Sequence, residues 1–232
     1  MDIYELNKLT ESISKELECT GFEVKPFKIG WYNDKVDKRF ILPETYDTIG
    51  YLIISTPSMF ENAFLPFISR QECTGVKDPL DQCVAHYFQQ IKQKFPDYDI
   101  ESIHDYELHP NHRPKVLIHG TQKKKMCGVC IHPQYGGWFA LRGVLIFKNI
   151  ECPSLIQEKP IDVIATREKR IELLEKFNYC WQDWTYRDLT ETVEKYSDDQ
   201  KQYFATLPKD RKELILSLKS KIKLQSEEIR GS

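Results

Sequence analysis

The segment Thr48–Ser55, TIGYLIIS, is an apolar run bounded by turn residues. A run of that length and composition reads as a buried strand. A buried strand must be covered, and the sequence on either side offers helices to cover it. Leu6, Leu9, Ile13 and Leu17 recur every three or four residues and predict an amphipathic helix, with Gly21 expected just past its end. GFEVKPF then alternates as a short strand. Pro57 is expected to open a helix around Phe60, Phe64 and Phe67. Asp78-Pro79 pairs an N-cap with proline at the first helical position. Leu80, Cys83, Val84, Tyr87 and Ile91 follow on one face, and Pro96 stops the helix.

The middle of the chain reads as sheet. Tyr98–Leu108 alternates loosely, Lys115–Ile118 is a short run, and Cys127–His132 with Trp138–Phe147 predicts a hairpin turning at Gly136-Gly137. In the last third, Thr166 caps a helix carrying Ile171, Leu174 and Phe177. Another helix follows Pro208, with Leu214, Ile215, Leu218 and Ile222 on one face and a Lys/Glu-rich end expected to fray after about residue 212. No repeat and no Ser/Gly/Pro linker interrupts the chain. The expectation is one α+β domain over 1–232, with helices packed on a mostly antiparallel sheet.

Charge excludes some functions. Lys and Arg number 33 against 35 Asp and Glu, a net charge of −2. A nucleic-acid-binding domain would be strongly basic. Seven cysteines in 232 residues are too few for a disulfide scaffold. The start MDIYELNKLT lacks a signal-peptide pattern, and no apolar stretch reaches membrane-spanning length. The expectation is a soluble protein with free thiols in a reducing compartment, the cytoplasm.

Common catalytic fingerprints are missing: there is no G-x-G-x-x-G, Walker A, H-E-x-x-H or G-x-S-x-G. Cys127-Gly-Val-Cys130 has the spacing of half a zinc site. In a strand, residues three apart point to opposite faces, and no second pair completes a tetrahedral set, so a reactive thiol is favoured over a metal. Four of the six histidines fall within His104–His119 and read as polar loop and strand residues. The run Trp181-Gln-Asp-Trp184-Thr-Tyr186-Arg187-Asp188 offers either a stacking surface with a cationic fork or a packed helix edge. The residues alone favour the packed edge, with Arg187 paired to Asp183 or Asp188.

Six strings, GFEVKPFKIGWYN, STPSMF, DPLDQCVA, DYELHPNHRPKVL, GVCIHPQYGGWFALRG and FNYCWQDWTYRD, stand in one order. Together they resemble the methylmalonic aciduria and homocystinuria type C (CblC) family of cytosolic B12-processing proteins, from about residue 20 to about residue 212. The resemblance implies a fold like that of flavin nitroreductases. It also implies binding of cobalamin with its lower base detached, and removal of the upper axial ligand. Two reactions are implied: reductive decyanation of cyanocobalamin and glutathione-dependent dealkylation of alkylcobalamins, with FMN or FAD as an electron source. A non-catalytic cobalamin chaperone, a cobalamin-dependent thiol oxidase and a flavoprotein reductase that has lost cobalamin are the alternatives. The chain has no D-x-H-x-x-G motif to supply a histidine to cobalt, so no protein metal ligand is expected.

By motif, glutathione binding and thiolate stabilisation fall on Arg142 of FALRG, Arg187 of WTYRD and Arg211 of PKDRKEL. Cobalamin contacts fall on Asp105, on Val116, Leu117, Ile118 and His119 of KVLIH, and on Cys130 and Leu141. Cys127 stands where the family often has serine, and a thiol beside a redox-active cobalt would favour thiol oxidation. Only Gly120–Met126 joins KVLIH to CGVCIHP, where the family carries a longer stretch lining the cofactor pocket. The family further implies a D-type cobalamin adaptor as partner, a monomer or homodimer, and neither nucleic acid nor membrane.

Overall fold

The computed structural model describes residues 1–70, 78–104 and 129–231. Four strands, β1 Phe22–Lys28, β2 Thr48–Ser55, β3 Ile100–His104 and β4 Ala140–Glu151, form one antiparallel sheet in the order β1-β2-β4-β3. The helices are α1 Ile3–Glu16, α2 Ile29–Asn33, α3 Leu65–Arg70, α4 Pro79–Lys94, α5 Arg167–Tyr179, α6 Asp198–Ala205 and α7 Arg211–Gly231. A π-helical turn, Phe60–Phe64, leads into α3.

The apolar run in β2 is central, and all eight of its residues are buried. Its alternation divides the core. Ile49, Tyr51 and Ile53 join Leu145 and Phe147 of β4 in a cluster with α1, α4, α6 and α7. Leu52 and Ile54 join Val144 and Ile146 of β4 in a second cluster. Period-two geometry thus buries the strand on both faces. Leu6, Leu9 and Ile13 supply the buried stripe of α1, and a reciprocal Asp2–Glu5 capping box starts that helix. Among the described residues strand β1 lies at the sheet edge, and it carries Pro26, which has no N–H to offer a ladder.

Several expectations are corrected. Helix α1 ends at Glu16 rather than at Gly21. Gly21, at φ 77°, is needed because a Cβ there would lie 2.3 Å from the Met59 backbone nitrogen. The hairpin is not formed among the described residues. Only an isolated His132–Gly136 bridge precedes β4, whose two edges are taken by β2 and β3. Val129 and Ile131 pack instead with Ile164, Leu173 and Tyr186. Thr166 does cap α5, but the buried residue is Leu173, and Ile171 is exposed. The run from Trp181 is no helix edge: two 3-10 turns, Trp181–Asp183 and Thr185–Asp188, are broken at Trp184, which has φ 66°. Lys115–Ile118 lies outside the described residues, as does the part of the Tyr98–Leu108 run beyond His104.

Candidate active site

Strand β4 enters the sheet through a bulge. Leu141 aligns with Ile54 and Gly143 with Ile53, so Arg142 is an extra residue without a partner in β2. Bulges re-aim side chains at sheet ends. The Arg142 Nε donates to Ser55 Oγ at 2.8 Å, and its Nη2 is buried with no hydrogen-bond partner among the described residues. A desolvated guanidinium nitrogen left unpaired is costly and is suited to an incoming anion. Gly143 permits the neighbouring strand to close, since a Cβ there would lie 2.4 Å from the Ile103 carbonyl oxygen. That pairing sets buried His104 opposite Gly143, with its ring edge-on to Phe88 at 5.1 Å.

Arg187 docks on the segment that leads into β4. It donates through Nη1 to the Gly137 carbonyl oxygen and accepts the Gly137 N–H on its own carbonyl at 3.0 Å. A Cβ on Gly137 would lie 2.8 Å from the Arg187 Cγ, so glycine permits the approach. The guanidinium carbon lies 5.0–5.6 Å from the ring centres of Trp138, Trp184, Tyr186 and Tyr196, and Nε is buried without a partner among the described residues. Neither acid suggested by the sequence pairs with it. Asp188 accepts from the Trp138 Nε1 at 2.6 Å and binds Lys195 at 3.0 Å, while Asp183 caps Thr185.

Arg211 is held elsewhere. Its Nη1 pairs with Asp78 Oδ2, its Nε donates to the Thr206 carbonyl at 3.0 Å, and its guanidinium lies 4.6 Å over the Tyr203 ring. Asp78 also accepts from the Leu80 N–H at 2.9 Å and from the Tyr203 hydroxyl at 2.8 Å. Burial, with Asp78 adding to it, raises the Tyr203 hydroxyl well above the ordinary phenol range.

Cys130 is half-buried between buried Val129 and Ile131, and Leu141 is exposed at the bulge. Asp105, Val116, Leu117, Ile118, His119 and Cys127 lie outside the described residues. Two surface grooves, one along α1 and α4 and one from Asp188 to Lys195 beside Lys169, include none of the sequence-derived site residues. Among the described residues no His/Cys/Asp/Glu group is arranged to hold a metal ion, and no helix is long and apolar enough to cross a membrane. Sequence reasoning missed Ser55, Trp138, Tyr196 and Asp78 as partners of the arginines. Their contacts span up to 133 residues, a separation that local patterns do not encode.

His132 fixes the turn before β4. Its Nδ1 accepts from the Gln134 and Tyr135 N–H groups at 3.1 and 3.3 Å, which places the proton of the neutral ring on Nε2. Burial lowers its pKa; Lys25 adds to the lowering and Glu23 opposes it. The unfolded chain therefore binds more protons here as pH falls. The stabilisation is complete above the unfolded value, about 6.5, and is lost as pH drops through the folded value. His132→Asn keeps an acceptor for the turn and cannot titrate. Its melting temperature is expected to fall less than that of the wild type between pH 7.5 and pH 5, and equal slopes would show that His132 contributes nothing.

The comparisons with known proteins agree on one family. The model of the methylmalonic aciduria and homocystinuria type C family matches residues 21–123 and 119–215. A Gallus gallus protein named cyanocobalamin reductase / alkylcobalamin dealkylase is 42% identical over 228 residues, covering 90% of this chain and 96% of that protein. The Homo sapiens protein of the same name is 41% identical, covering 90% and 81%. The crystal structure of a Caenorhabditis elegans B12-trafficking protein, CblC, superposes with a TM-score of 0.78 at 28% identity, covering 93% of this chain and 97% of that one. With the family model matched over most of its length and relatives above 40% identity, this chain belongs to the methylmalonic aciduria and homocystinuria type C family.

Proposed function

We propose that this chain processes cobalamin by removing its upper axial ligand, through reductive decyanation of cyanocobalamin and glutathione-dependent dealkylation of alkylcobalamins. The relatives' shared name supports both reactions. The observation that carries the thiol reaction is the Arg142 Nη2, desolvated and unpaired at the β4 bulge. A thiol attacks as its thiolate. A nearby guanidinium favours that anion and hence lowers the thiol pKa. Arg142 and Arg187 each keep a buried nitrogen without a partner among the described residues, so both are suited to glutathione's carboxylates or its sulfur anion. In dealkylation the sulfur takes the alkyl carbon, the cobalt–carbon bond breaks with its electron pair on cobalt, and the thiol proton passes to solvent. Leu141 and Cys130 would contribute to the cobalamin side, with Asp105, Val116, Leu117, Ile118, His119 and Cys127.

Electrons for decyanation would come from reduced FMN or FAD, which goes with the nitroreductase-like reading of the fold. Cytoplasmic location and a D-type adaptor partner belong to the same proposal. Arg211 supports a second reading, the non-catalytic chaperone, because its charge is already paired with Asp78. The test is a spectrum. Methylcobalamin added to the protein is expected to show the shift of a detached lower base, and glutathione is then expected to remove the alkyl band. No shift would overturn the cobalamin assignment, and a shift without dealkylation would leave the chaperone.

A further inference from the structure

The rings around Arg187 do more than pack. A guanidinium inside a protein is usually held by a carboxylate, which neutralises it. Here the two acids of the Trp181–Asp188 run are diverted, Asp188 to the Trp138 indole N–H and Lys195, and Asp183 to Thr185. The cation is held by the Gly137 carbonyl oxygen and by π faces instead. Trp184 stacks nearly parallel to Trp138, 6.1 Å away at an interplanar angle of 15°, and Tyr196 meets both edge-on. Trp184 reaches that position only through a left-handed backbone, φ 66°, which is costly for a bulky residue and is retained where the surroundings require it. Ring faces attract a cation without contributing a counter-charge.

We propose that Trp184, Trp138 and Tyr196 are positioning residues, a π cradle that keeps Arg187 fixed and, among the described residues, without an acidic counter-charge, so that its charge is available to the anionic thiol cosubstrate. The proposal rests on the reading of Arg187 as a glutathione contact. Trp138 has two parts in it: its ring lies beside the guanidinium, and its N–H withdraws Asp188, the acid next in the chain. The cradle acts on binding of the anionic cosubstrate, not on the bond that breaks.

The experiment follows dealkylation of methylcobalamin at varied glutathione. Trp184→Leu removes a π face and is expected to raise the glutathione KM by about fivefold to tenfold. kcat at saturating thiol should stay within about twofold, since the cradle serves binding. Trp184→Phe restores a face and should return KM to within about twofold of the wild type. Trp138→Phe keeps a ring but releases Asp188 from the indole N–H, leaving it only Lys195, so KM should rise, and adding Asp188→Asn should bring it back. This pair keeps the test open if Trp184→Leu does not fold. An unchanged KM in Trp184→Leu, equal rises in the Leu and Phe variants, or no recovery in the Trp138/Asp188 double variant would overturn the cradle. Arg187→Gln separates the two levels. If it leaves KM unaltered, the glutathione reading of Arg187 fails; if it raises KM while the ring variants do not, only the cradle fails.

Discussion

Arg142→Ala is expected to lose glutathione-dependent dealkylation by about a hundredfold in kcat/KM while still taking up cobalamin. Truncating one partner of a buried, charged hydrogen bond costs about 2–5 kcal/mol, and a hundredfold corresponds to the lower part of that range. The same change should not lower stability much. It removes a buried donor that no described residue satisfies, at the loss of one hydrogen bond to Ser55. Removal of an unsatisfied buried group offsets part of any packing loss. An arginine that costs the free protein and serves a bound ligand should show that division in two measurements, the thiol titration and the thermal melt. Arg142→Lys should recover little, because an ammonium cannot hold Ser55 with one nitrogen and present a second in the same plane. Dealkylation at the wild-type rate in Arg142→Ala would remove this residue from the thiol site.

Asp78→Ala is expected to cost about 3 kcal/mol of unfolding free energy. About 1 kcal/mol is the lost N-cap of α4. The remainder, about 2 kcal/mol, is the Arg211 cation and the Tyr203 hydroxyl left without their partner. The side chains of Arg211 and Asp78 are 15% and 20% exposed, so the penalty sits below that of a fully buried pair. Asp78→Asn keeps the cap and an acceptor for Tyr203 and should cost about half as much. Urea unfolding of the two variants gives the difference, and equal costs would show that the charge of Asp78 does not matter. Arg211→Gln completes the comparison. Lost stability with an unaltered glutathione KM would make Arg211 a structural residue and leave thiol binding to the other two arginines.

Much of the fold is legible in local patterns. Strand β2 has the boundaries that its apolar run suggests, and α4 begins at the Asp78-Pro79 signal. The failures share a cause. Strand β4 looked like half of a hairpin because its hydrophobicity is local, whereas its partners lie about ninety and forty residues earlier in the chain. Helix α6 has too few apolar residues to show a periodic stripe, although Ser197 caps it by accepting from the Gln200 N–H, a spacing that resembles a capping box. The site shows the same division. Nothing in composition or spacing distinguishes Arg142 from the other arginines; the family strings do so, and the bulge that re-aims it becomes visible only when β2 is paired. The Trp181–Asp188 run invited an ion-pair reading because Asp183 and Asp188 are near in sequence. Folding brings Trp138 and Lys195 to Asp188 instead.

The edge position of Pro26 has a consequence for how the molecule behaves in crowded solution. A proline along that border denies an incoming chain part of the amide row it would need for docking. Neighbouring molecules are thereby discouraged from adding a strand along this border and growing into fibres.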